Sequence, residues 1–303
     1  MAGNRPARTR HFKGPLTDTA RWDHIALRPG DVIVATPPKS GTTWTQSIVM
    51  MLILGQASLP GGLSAYSPWV DAHFRPLENV RALIDRQTHR RCLKTHSPLD
   101  AIVYDPACTY LAVYRHPVDV HFSMQRHARN AKSGRLDFLS FADDREGFAW
   151  FLETDSPDAN TDSLSLAALV AHYQSFARWA HLPNVHLLHY SDLTRDLPGS
   201  VSEIAARLGT PHPPEVLAEI AEATRFATVQ AAAKADPERR NNDIFHDRAA
   251  FFDSATSGKW VGRLGPQDMA RYAARLTQHL PDARDRAWLE TGGQPSPRTS
   301  EVC

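Results

Sequence analysis

The chain has 303 residues, of which 42% are hydrophobic and 22% are charged, and its formal net charge at pH 7 is +1. This composition is typical of a globular protein that is large enough to bury a core without disulfide staples. Proteins whose main ligand is nucleic acid usually carry a clear basic excess, so the charge argues against that class. The three cysteines are odd in number and lack metal-ligand spacing, so they favour neither a disulfide framework nor a zinc site.

The ends of the chain and its apolar runs predict its cellular location and its domain organisation. Residues 1–14 are basic but contain no apolar h-region of a secretion signal. The longest apolar run, Ile48–Leu54, is far too short to cross a bilayer. We therefore expect a cytoplasmic protein with an N-terminal extension over 1–20, one domain over 21–291, and a disordered tail over 292–303.

Four short apolar runs, each bounded by turn formers or charges, predict buried strands. They cover residues 31–36, 91–95, 109–115 and 184–190. Helical patterns lie between them, over 76–87 and 164–182, and Ser200 and Glu203 have the spacing of a capping box for a further helix that ends at Gly209. Strands that alternate with helices predict a single α/β domain, with a parallel sheet of about five strands that is flanked by helices on both faces.

The first functional signal is the loop T-P-P-K-S-G-T-T-W over 36–44, which joins the first predicted strand to an apolar run. A helix start offers backbone N–H groups without internal partners and a partial positive charge, so such a loop suits an oxyanion. The common nucleotide loop G-x-x-x-x-G-K-[ST] has its lysine after the second glycine, whereas Lys39 precedes Gly41. A plain turn between a strand and a helix, with a chance lysine, is the alternative.

The second signal is the end of the second predicted strand, where the segment 91–99 reads R-C-L-K-T-H-S-P-L. Alternation along a strand places Lys94 and His96 on the same face, so both can point at one reaction centre. An ordinary histidine titrates near working pH, which makes it the natural general base for an alcohol or a phenol. Seen alone, a histidine at a strand end is more often a hydrogen-bonded surface residue.

The third signal is an arginine at the end of the third predicted strand, in the segment Y-R-H-P-V-D-V-H-F-S. Pro117 suits the first helical position, and Ser123 lies about two turns further along the helix. The guanidinium of Arg115 offers a fixed fork of donors that suits a phosphate, and a solvated charge is the alternative. Ligands of parallel α/β sheets bind beyond the carboxyl ends of the strands. Lys39, His96 and Arg115 would all lie at these ends.

These three segments resemble motifs of the sulfotransferases that use 3′-phosphoadenosine 5′-phosphosulfate (PAPS). P-K-S-G-T-T-W resembles the loop that holds the 5′-phosphosulfate, and K-T-H-x-P-L resembles the catalytic segment. Y-R-x-P-x-D-x-x-x-S resembles the site of the 3′-phosphate. The resemblance implies a P-loop-type fold and a PAPS-dependent sulfotransferase of the cytosolic type or of the bacterial small-molecule or glycolipid type, without a metal.

The resemblance also implies a role for each matched residue. His96 would deprotonate the acceptor hydroxyl, Lys39 would stabilise the leaving phosphate, and Lys94 would steady the sulfuryl oxygens. Arg115 and Ser123 would bind the 3′-phosphate. The residues that would cradle the 5′-phosphate beside Lys39 are Ser40, Gly41, Thr42 and Thr43.

Weaker matches concern the adenine and the second half of the 3′-phosphate site. Trp44 would offer the base a flat surface, and Tyr190 matches an aromatic residue near the nucleotide. The segment T-R-F, which contains Thr224 and Phe226, resembles the segment that contacts adenine, although a core position is the alternative for each of these side chains. The family usually ends its site with R-K-G-x-x-G-D-W, whereas 253–260 read D-S-A-T-S-G-K-W here. The candidates to replace the missing Arg-Lys pair at Asp253 and Ser254 are Lys259, Arg248 and Arg263.

Two aromatic stretches outside these motifs bear on the acceptor. The first contains Tyr66, Trp69, His73 and Phe74, and the second contains Phe141, Phe148, Trp150 and Phe151. Packing onto the core is expected for most of them. The run L-S-A-Y-S-P-W-V-D resembles the acceptor-side loop of members that act on lipidic or aromatic hydroxyls, so a small apolar alcohol, a phenol or a glycolipid is expected. The oligomeric state stays open.

Two other functions stay open at this point. A P-loop kinase that acts on ATP is disfavoured, because no Gly-Lys-Ser/Thr follows a Gly-rich loop and no D-x-x-G magnesium element stands out. A nucleotide-binding sensor without enzymatic activity is suggested by Asp253 and Ser254. The intact Lys39, Lys94 and His96 favour an enzyme.

Overall fold

The computed structural model describes residues 5–132, 134, 136–155, 162–235, 246 and 256–294. Within these ranges, four parallel strands form one sheet in the order β2, β1, β3, β4. The strands are β1 (Val32–Ala35), β2 (Cys92–Thr95), β3 (Thr109–Tyr114) and β4 (Val185–His189). All four predicted strands and the parallel α/β class are confirmed, but the described sheet has four strands rather than about five.

Register aligns the carboxyl ends of the three strands that the motifs follow. Ala35, the last residue of β1, lies opposite Thr95 of β2 and Ala112 of β3. Because the strands are parallel, the loops that follow them leave from the same edge of the sheet. The segments that carry Lys39, His96 and Arg115 therefore begin side by side.

The described residues form eleven α-helices. They are α1 (Thr42–Leu54), α2 (Leu77–Asp85), α3 (Pro117–Asn130), α4 (Asp144–Glu153), α5 (Leu166–Ala177), α6 (Tyr190–Arg195), α7 (Leu197–Leu208), α8 (Pro214–Thr224), α9 (Phe226–Ala235), α10 (Pro266–His279) and α11 (Ala283–Thr291). The expected helices over 76–87 and 164–182 correspond to α2 and α5.

The helices bury both faces of the sheet, as the alternation of side chains along β1 shows. Val32 and Val34 lie in one apolar cluster with residues of α1, α7 and α8. Ile33 and Ala35 lie in a second cluster with residues of α5, α10 and α11. Every residue of β1 is buried, as is typical of a parallel strand covered on both sides. The expectation of helices on both faces is confirmed.

The predicted start of one helix was wrong. The helix α7 begins at Leu197, three residues before the expected capping box at Ser200. The carboxylate of Asp196 accepts a hydrogen bond from the N–H of Gly199 at 2.9 Å, and Pro198 occupies the first turn. An aspartate is an N-cap of the same quality as a serine, and the proline is suited to the first turn, so the earlier start wins. The end at Gly209 is confirmed, since its φ of 62° is left-handed.

Part of each terminal segment is described. Phe12 and Leu16 are buried, and the carboxylate of Asp162 accepts hydrogen bonds from the N–H groups of Leu16 and Thr17, each at 3.0 Å. Residues 295–303 of the expected tail lie outside the described residues. In the described ranges, no helix combines the length and the apolar character needed to cross a bilayer. The domain boundaries and the cytoplasmic location stay predictions.

A buried ion pair joins the starts of β1 and β2. Arg91 donates from Nε to Asp31 at 2.8 Å, and a second nitrogen of the same guanidinium donates to the other carboxylate oxygen. The two side chains are only 1% and 2% exposed. Removing one partner of such a pair leaves the other charge buried and uncompensated, and this loss is strongly destabilising.

We expect Asp31→Ala to lower the free energy of unfolding by about 3–5 kcal/mol, because the Arg91 guanidinium would keep its burial and lose its counterion. Urea denaturation measures this change. The control is Glu203→Gln, which breaks an ion pair with Arg207 at the surface of α7 and should cost about 0.3–0.5 kcal/mol. Equal losses in the two variants would contradict the structural role of the buried pair.

Candidate active site

The loop between β1 and α1 has a backbone that only a few residue types adopt. Lys39 has φ 66° and Gly41 has φ 107°, both in the left-handed region. A Cβ at position 41 would also lie 3.0 Å from Cδ2 of Tyr190, so glycine is required there for conformation and for space. Gly41 is the N-cap of α1 and provides no side-chain cap, which leaves the first N–H groups of the helix available to a ligand.

Two hydroxyl groups of this loop face inward. The Ser40 side chain is fully buried, and its Oγ has no hydrogen-bond partner among the described residues. Thr42 shares a hydrogen bond with the hydroxyl of Thr36 at the end of β1. A buried hydroxyl without a partner is costly, so the Ser40 Oγ fits an oxyanion that would accept its proton.

Lys39 lies at the centre of a group of positive charges. Its side chain is half-buried, and its Nζ lies 3.5 Å from Nδ1 of His127 on α3. Burial, followed by the like charges of Lys259 and Arg115, lowers the pKa of Lys39 to about 7. Lys94 and Arg126 act in the same direction. A ligand with several negative charges would offset the repulsion among these basic groups.

His96 is buried in one defined orientation. Its Nδ1 lies 2.7 Å from the carbonyl oxygen of Thr36, and because a carbonyl only accepts, Nδ1 carries the proton and donates it. The lone pair of the neutral ring is therefore on Nε2. Burial, followed by the charge of Lys94, holds the pKa of His96 well below its usual 6.5, so the ring is neutral at physiological pH and able to accept a proton.

Lys94 and His96 contact the same aromatic ring. The Nζ of Lys94 lies 4.1 Å from the ring centroid of Trp69, and the ring of His96 packs edge-on against it at 4.6 Å. Burial lowers the pKa of Lys94 to about 8, and the charge of Asp71 opposes that shift. The two side chains thus lie on the same face of β2, as their spacing predicts.

Arg115 is buried beside the segment that contains Lys259. Its Nη2 donates to the carbonyl oxygen of Thr256 at 2.8 Å, and its guanidinium lies 4.3 Å from the ring centroid of Tyr190. Its Nε has no hydrogen-bond partner among the described residues. Burial, followed by the charge of Arg115, lowers the pKa of Lys259 to about 8. The buried Ser123 lies on α3, four residues before His127 and hence on the same side of the helix.

Asp119 is a residue of this site to which the sequence analysis assigned no role. Its fully buried carboxylate accepts hydrogen bonds from the N–H groups of Gly258 and Lys259, at 3.2 and 3.0 Å. It thereby fixes the Gly258–Lys259 backbone next to Arg115. The signal was present as the D of the Y-R-x-P-x-D pattern. Of the other proposed replacements for the Arg-Lys pair, Arg263 lies 3.7 Å from Asp144, and Arg248 lies outside the described residues, as do Asp253 and Ser254.

The residues expected near adenine form one group of contacts. The rings of Trp44 and Tyr190 meet edge-on at 5.5 Å, and the indole N–H of Trp44 donates to the carbonyl oxygen of Thr224 at 2.7 Å. The hydroxyl of Thr224 donates within α8 to Ile220, so the backbone of this residue makes the contact with Trp44. Phe226 is half-buried at the first position of α9.

The aromatic stretches on the acceptor side divide into core and surface. Phe148 and Phe151 are buried in the main core, where packing was expected. Trp69 contacts Phe74, whose side chain is 52% exposed, at 5.4 Å. A small apolar cavity lies beside the loop that precedes α1, and His172, whose Nε2 has no partner among the described residues, is its polar wall. The other residues that line it are Pro37, Pro38, Val120, Leu164, Ala168 and Leu169.

This arrangement joins a helix start without a side-chain cap, a cluster of lysine and arginine residues, and a neutral buried histidine. Residues 29–284 match the family model described as a sulfotransferase domain. The chain belongs to the sulfotransferase family. Membership confirms the resemblance seen in the three motifs and the expected class of enzyme, a PAPS-dependent sulfotransferase, and it decides against the kinase alternative.

Relatives in sequence extend over nearly the whole chain. A glycolipid sulfotransferase of Mycobacterium bovis is 32% identical, in an alignment that covers 93% of this chain and 94% of that protein. Glycolipid sulfotransferase Rv1373 of Mycobacterium tuberculosis is also 32% identical, with the same coverage of both chains. Cytosolic sulfotransferase 16 of Arabidopsis thaliana is 22% identical, over 86% of this chain and 79% of that protein.

Solved structures share the fold. Mouse sulfotransferase SULT7A1, in complex with PAP, superposes with a TM-score of 0.70 at 21% identity, over 89% of this chain and 92% of that one. Retinol dehydratase, in complex with retinol and PAP, superposes with a TM-score of 0.68 at 22% identity, over 87% and 85% of the two chains. These likenesses confirm a sulfotransferase fold.

The charges around Lys39 generate a test that needs no substrate. We expect an amine-reactive reagent to modify Lys39 with a midpoint near pH 7, because only the neutral amine reacts. Lys259→Met removes the largest like charge and should move that midpoint to higher pH. Labelling at a series of pH values, followed by mass spectrometry of the peptides, measures the midpoint.

Arg263→Met is the matched control for this change of charge. Arg263 acts on Lys259 but is not among the groups that shift Lys39, so its loss should leave the Lys39 midpoint in place. A midpoint that does not move in Lys259→Met would contradict the proximity of the two lysines.

Proposed function

We propose that this sulfotransferase moves the sulfuryl group of PAPS to the hydroxyl of a small apolar, phenolic or lipidic acceptor. The observation that carries the proposal is the orientation of His96. Its Nδ1 donates to Thr36, the first residue of the anion-binding loop, so its Nε2 keeps the lone pair that a general base needs. His96, this loop and Lys94 lie at one edge of the sheet, which supports the roles of general base, anion site and sulfuryl-binding group.

The residues present fit a donor with two separate anionic ends. The first end of the site is the loop with Lys39, with the Ser40 hydroxyl, which has no partner in the described part of the chain, and with the open start of α1. The second is the group of Arg115, whose Nε has no partner among the described residues, with Lys259 and Ser123. Trp44 and Tyr190 lie against each other, and Tyr190 lies beside Gly41 and contacts Arg115. We therefore assign the 5′-phosphosulfate to the first end and the 3′-phosphate to the second.

The chain's own residues then have distinct tasks. The Nε2 atom of His96 accepts the proton of the acceptor hydroxyl, so that the hydroxyl oxygen can bond to sulfur. Lys94 steadies the sulfuryl oxygens, and protonated Lys39 stabilises the phosphate oxygen that leaves. PAPS would supply the sulfuryl group and its bond to that phosphate. In-line transfer between two oxygens needs mainly this positioning and charge stabilisation, and no metal enters the proposal.

The acceptor class is supported by the apolar surroundings of His96. Trp69 packs on the ring of His96 and also contacts the exposed Phe74, so the two aromatic side chains offer an apolar surface to an acceptor. The cavity walled by His172 is apolar except for that residue. The mycobacterial relatives are glycolipid sulfotransferases by name, which also supports a lipidic acceptor. A polysaccharide would require a strongly cationic cleft outside the cofactor site.

The direct test is transfer of radiolabelled sulfate from PAPS to a panel of hydroxyl compounds. We expect transfer to phenols, apolar alcohols or glycolipids, and none to a heparan-type polysaccharide or a protein tyrosine. His96→Ala should lower turnover by about a hundred- to ten-thousand-fold, because general base assistance is lost, with nucleotide affinity near that of wild type.

His181→Ala is the control, since His181 is an exposed histidine and its loss should leave turnover unchanged. If His96→Ala loses nucleotide affinity as much as turnover, then His96 has a structural role rather than a catalytic one. If the wild-type protein binds nucleotide but transfers sulfate to no hydroxyl, the sensor alternative replaces the proposal.

A further inference from the structure

Asp71 is a fully buried carboxylate that receives four hydrogen bonds. Its Oδ2 accepts from Thr95 Oγ1 at 2.6 Å, from Ser97 Oγ at 2.7 Å and from the indole N–H of Trp22 at 3.1 Å. Its Oδ1 accepts from the indole N–H of Trp69 at 2.7 Å. Hydrogen bonds to a charged group are stronger than those between neutral groups, so this carboxylate is a rigid centre.

Two of these bonds fix the chain on both sides of His96. Thr95 precedes His96 and Ser97 follows it, and both hydroxyls donate to the same oxygen of Asp71. The N–H of Ser97 also donates to Thr95 Oγ1 at 2.9 Å, which closes the turn. The backbone of His96 is therefore held between two anchored neighbours.

A third bond fixes the ring against which both reactive side chains pack. Trp69 contacts the imidazole of His96 at 4.6 Å and lies 4.1 Å from the ammonium of Lys94. An indole whose N–H is bonded to a buried carboxylate has little freedom to rotate. Asp71 therefore also anchors the ring on which both side chains pack.

We infer that Asp71 is a positioning residue of sulfuryl transfer, which holds His96 and Lys94 at the reaction centre through Thr95, Ser97 and Trp69. The inference rests on the function proposed above. Asp71 itself acts through these residues rather than on the substrates. The fourth bond, to Trp22, points to a purely structural role as the competing explanation, because Trp22 is fully buried in the main core.

The charge of Asp71 provides a readout that a structural role alone would not change. It is the acid that opposes the effect of burial on the pKa of Lys94. Among the residues that the structure describes, His96, Lys39 and His127 also interact electrostatically with Lys94. Removing the carboxylate charge should therefore make Lys94 lose its proton at lower pH.

The central variant is Asp71→Asn, which keeps the size of the side chain but removes its charge. Its amide NH2 must face at least one N–H or O–H donor, so one anchoring bond is lost. We expect turnover to fall by about a hundredfold, which is the cost of a small misplacement of reacting groups. The affinity for PAP (3′,5′-adenosine bisphosphate) should stay near that of wild type. The pH midpoint of Lys94 labelling by an amine-reactive reagent should move to lower pH.

Three further variants separate positioning from folding. Trp69→Phe and Ser97→Ala each remove one donor to Asp71 beside the reactive groups, and each should lower turnover with PAP affinity retained. Trp22→Phe is the matched control: it removes the same kind of N–H bond to Asp71 from a side chain that packs in the main core, and it should lower stability alone.

Asp71→Asn with wild-type turnover and an unchanged Lys94 midpoint would overturn the inference, and so would a parallel loss of PAP affinity and turnover. If Asp71→Asn does not fold, wild-type turnover in both Trp69→Phe and Ser97→Ala would overturn it, and a fall in both would support it. If the wild-type protein transfers sulfate to no acceptor, the proposed function fails, and the Lys94 midpoint still decides whether Asp71 acts on that lysine.

Discussion

The hydrogen bond from His96 Nδ1 to the carbonyl oxygen of Thr36 connects the two halves of this site. Thr36 follows β1 and begins the loop that precedes α1, whereas His96 follows β2, so the 2.7 Å contact joins the proposed proton acceptor to the proposed phosphate site. It also decides the tautomer, because the carbonyl oxygen can only accept. The parallel register that places Ala35 opposite Thr95 is the condition for this contact.

Charge is the second organising feature of the site. Burial brings the pKa of Lys94 to about 8, and burial together with the charges of neighbouring cations brings the pKa of Lys39 to about 7 and that of Lys259 to about 8. Two carboxylates partly offset these lowered pKa values without neutralising the site. Asp71 acts on Lys94, and Asp119 accepts a hydrogen bond from the backbone of Lys259. The remaining positive potential is available to an anionic cofactor, which would raise the pKa values of the lysines that it contacts.

Local sequence patterns predicted the strand ends, the three motif loops and the pairing of Lys94 with His96, because these depend on alternation and on residues close together in the chain. The sequence could not show that Asp71 reaches Thr95 or that Asp119 reaches Gly258, since these contacts join residues 24 and 139 positions apart. The start of α7 was misplaced because two capping residues compete within four positions, and nearby context selects Asp196.

The identity of the donor is the central claim, and the affinity for PAP (3′,5′-adenosine bisphosphate) relative to adenosine 5′-monophosphate tests it most directly. Calorimetry of the wild-type protein should give a preference for PAP of well over tenfold, about 1.4 kcal/mol or more. In Arg115→Ala that preference should collapse, because the guanidinium assigned to the 3′-phosphate is gone. Equal affinity for the two nucleotides in the wild-type protein would contradict the assignment of PAPS as the donor.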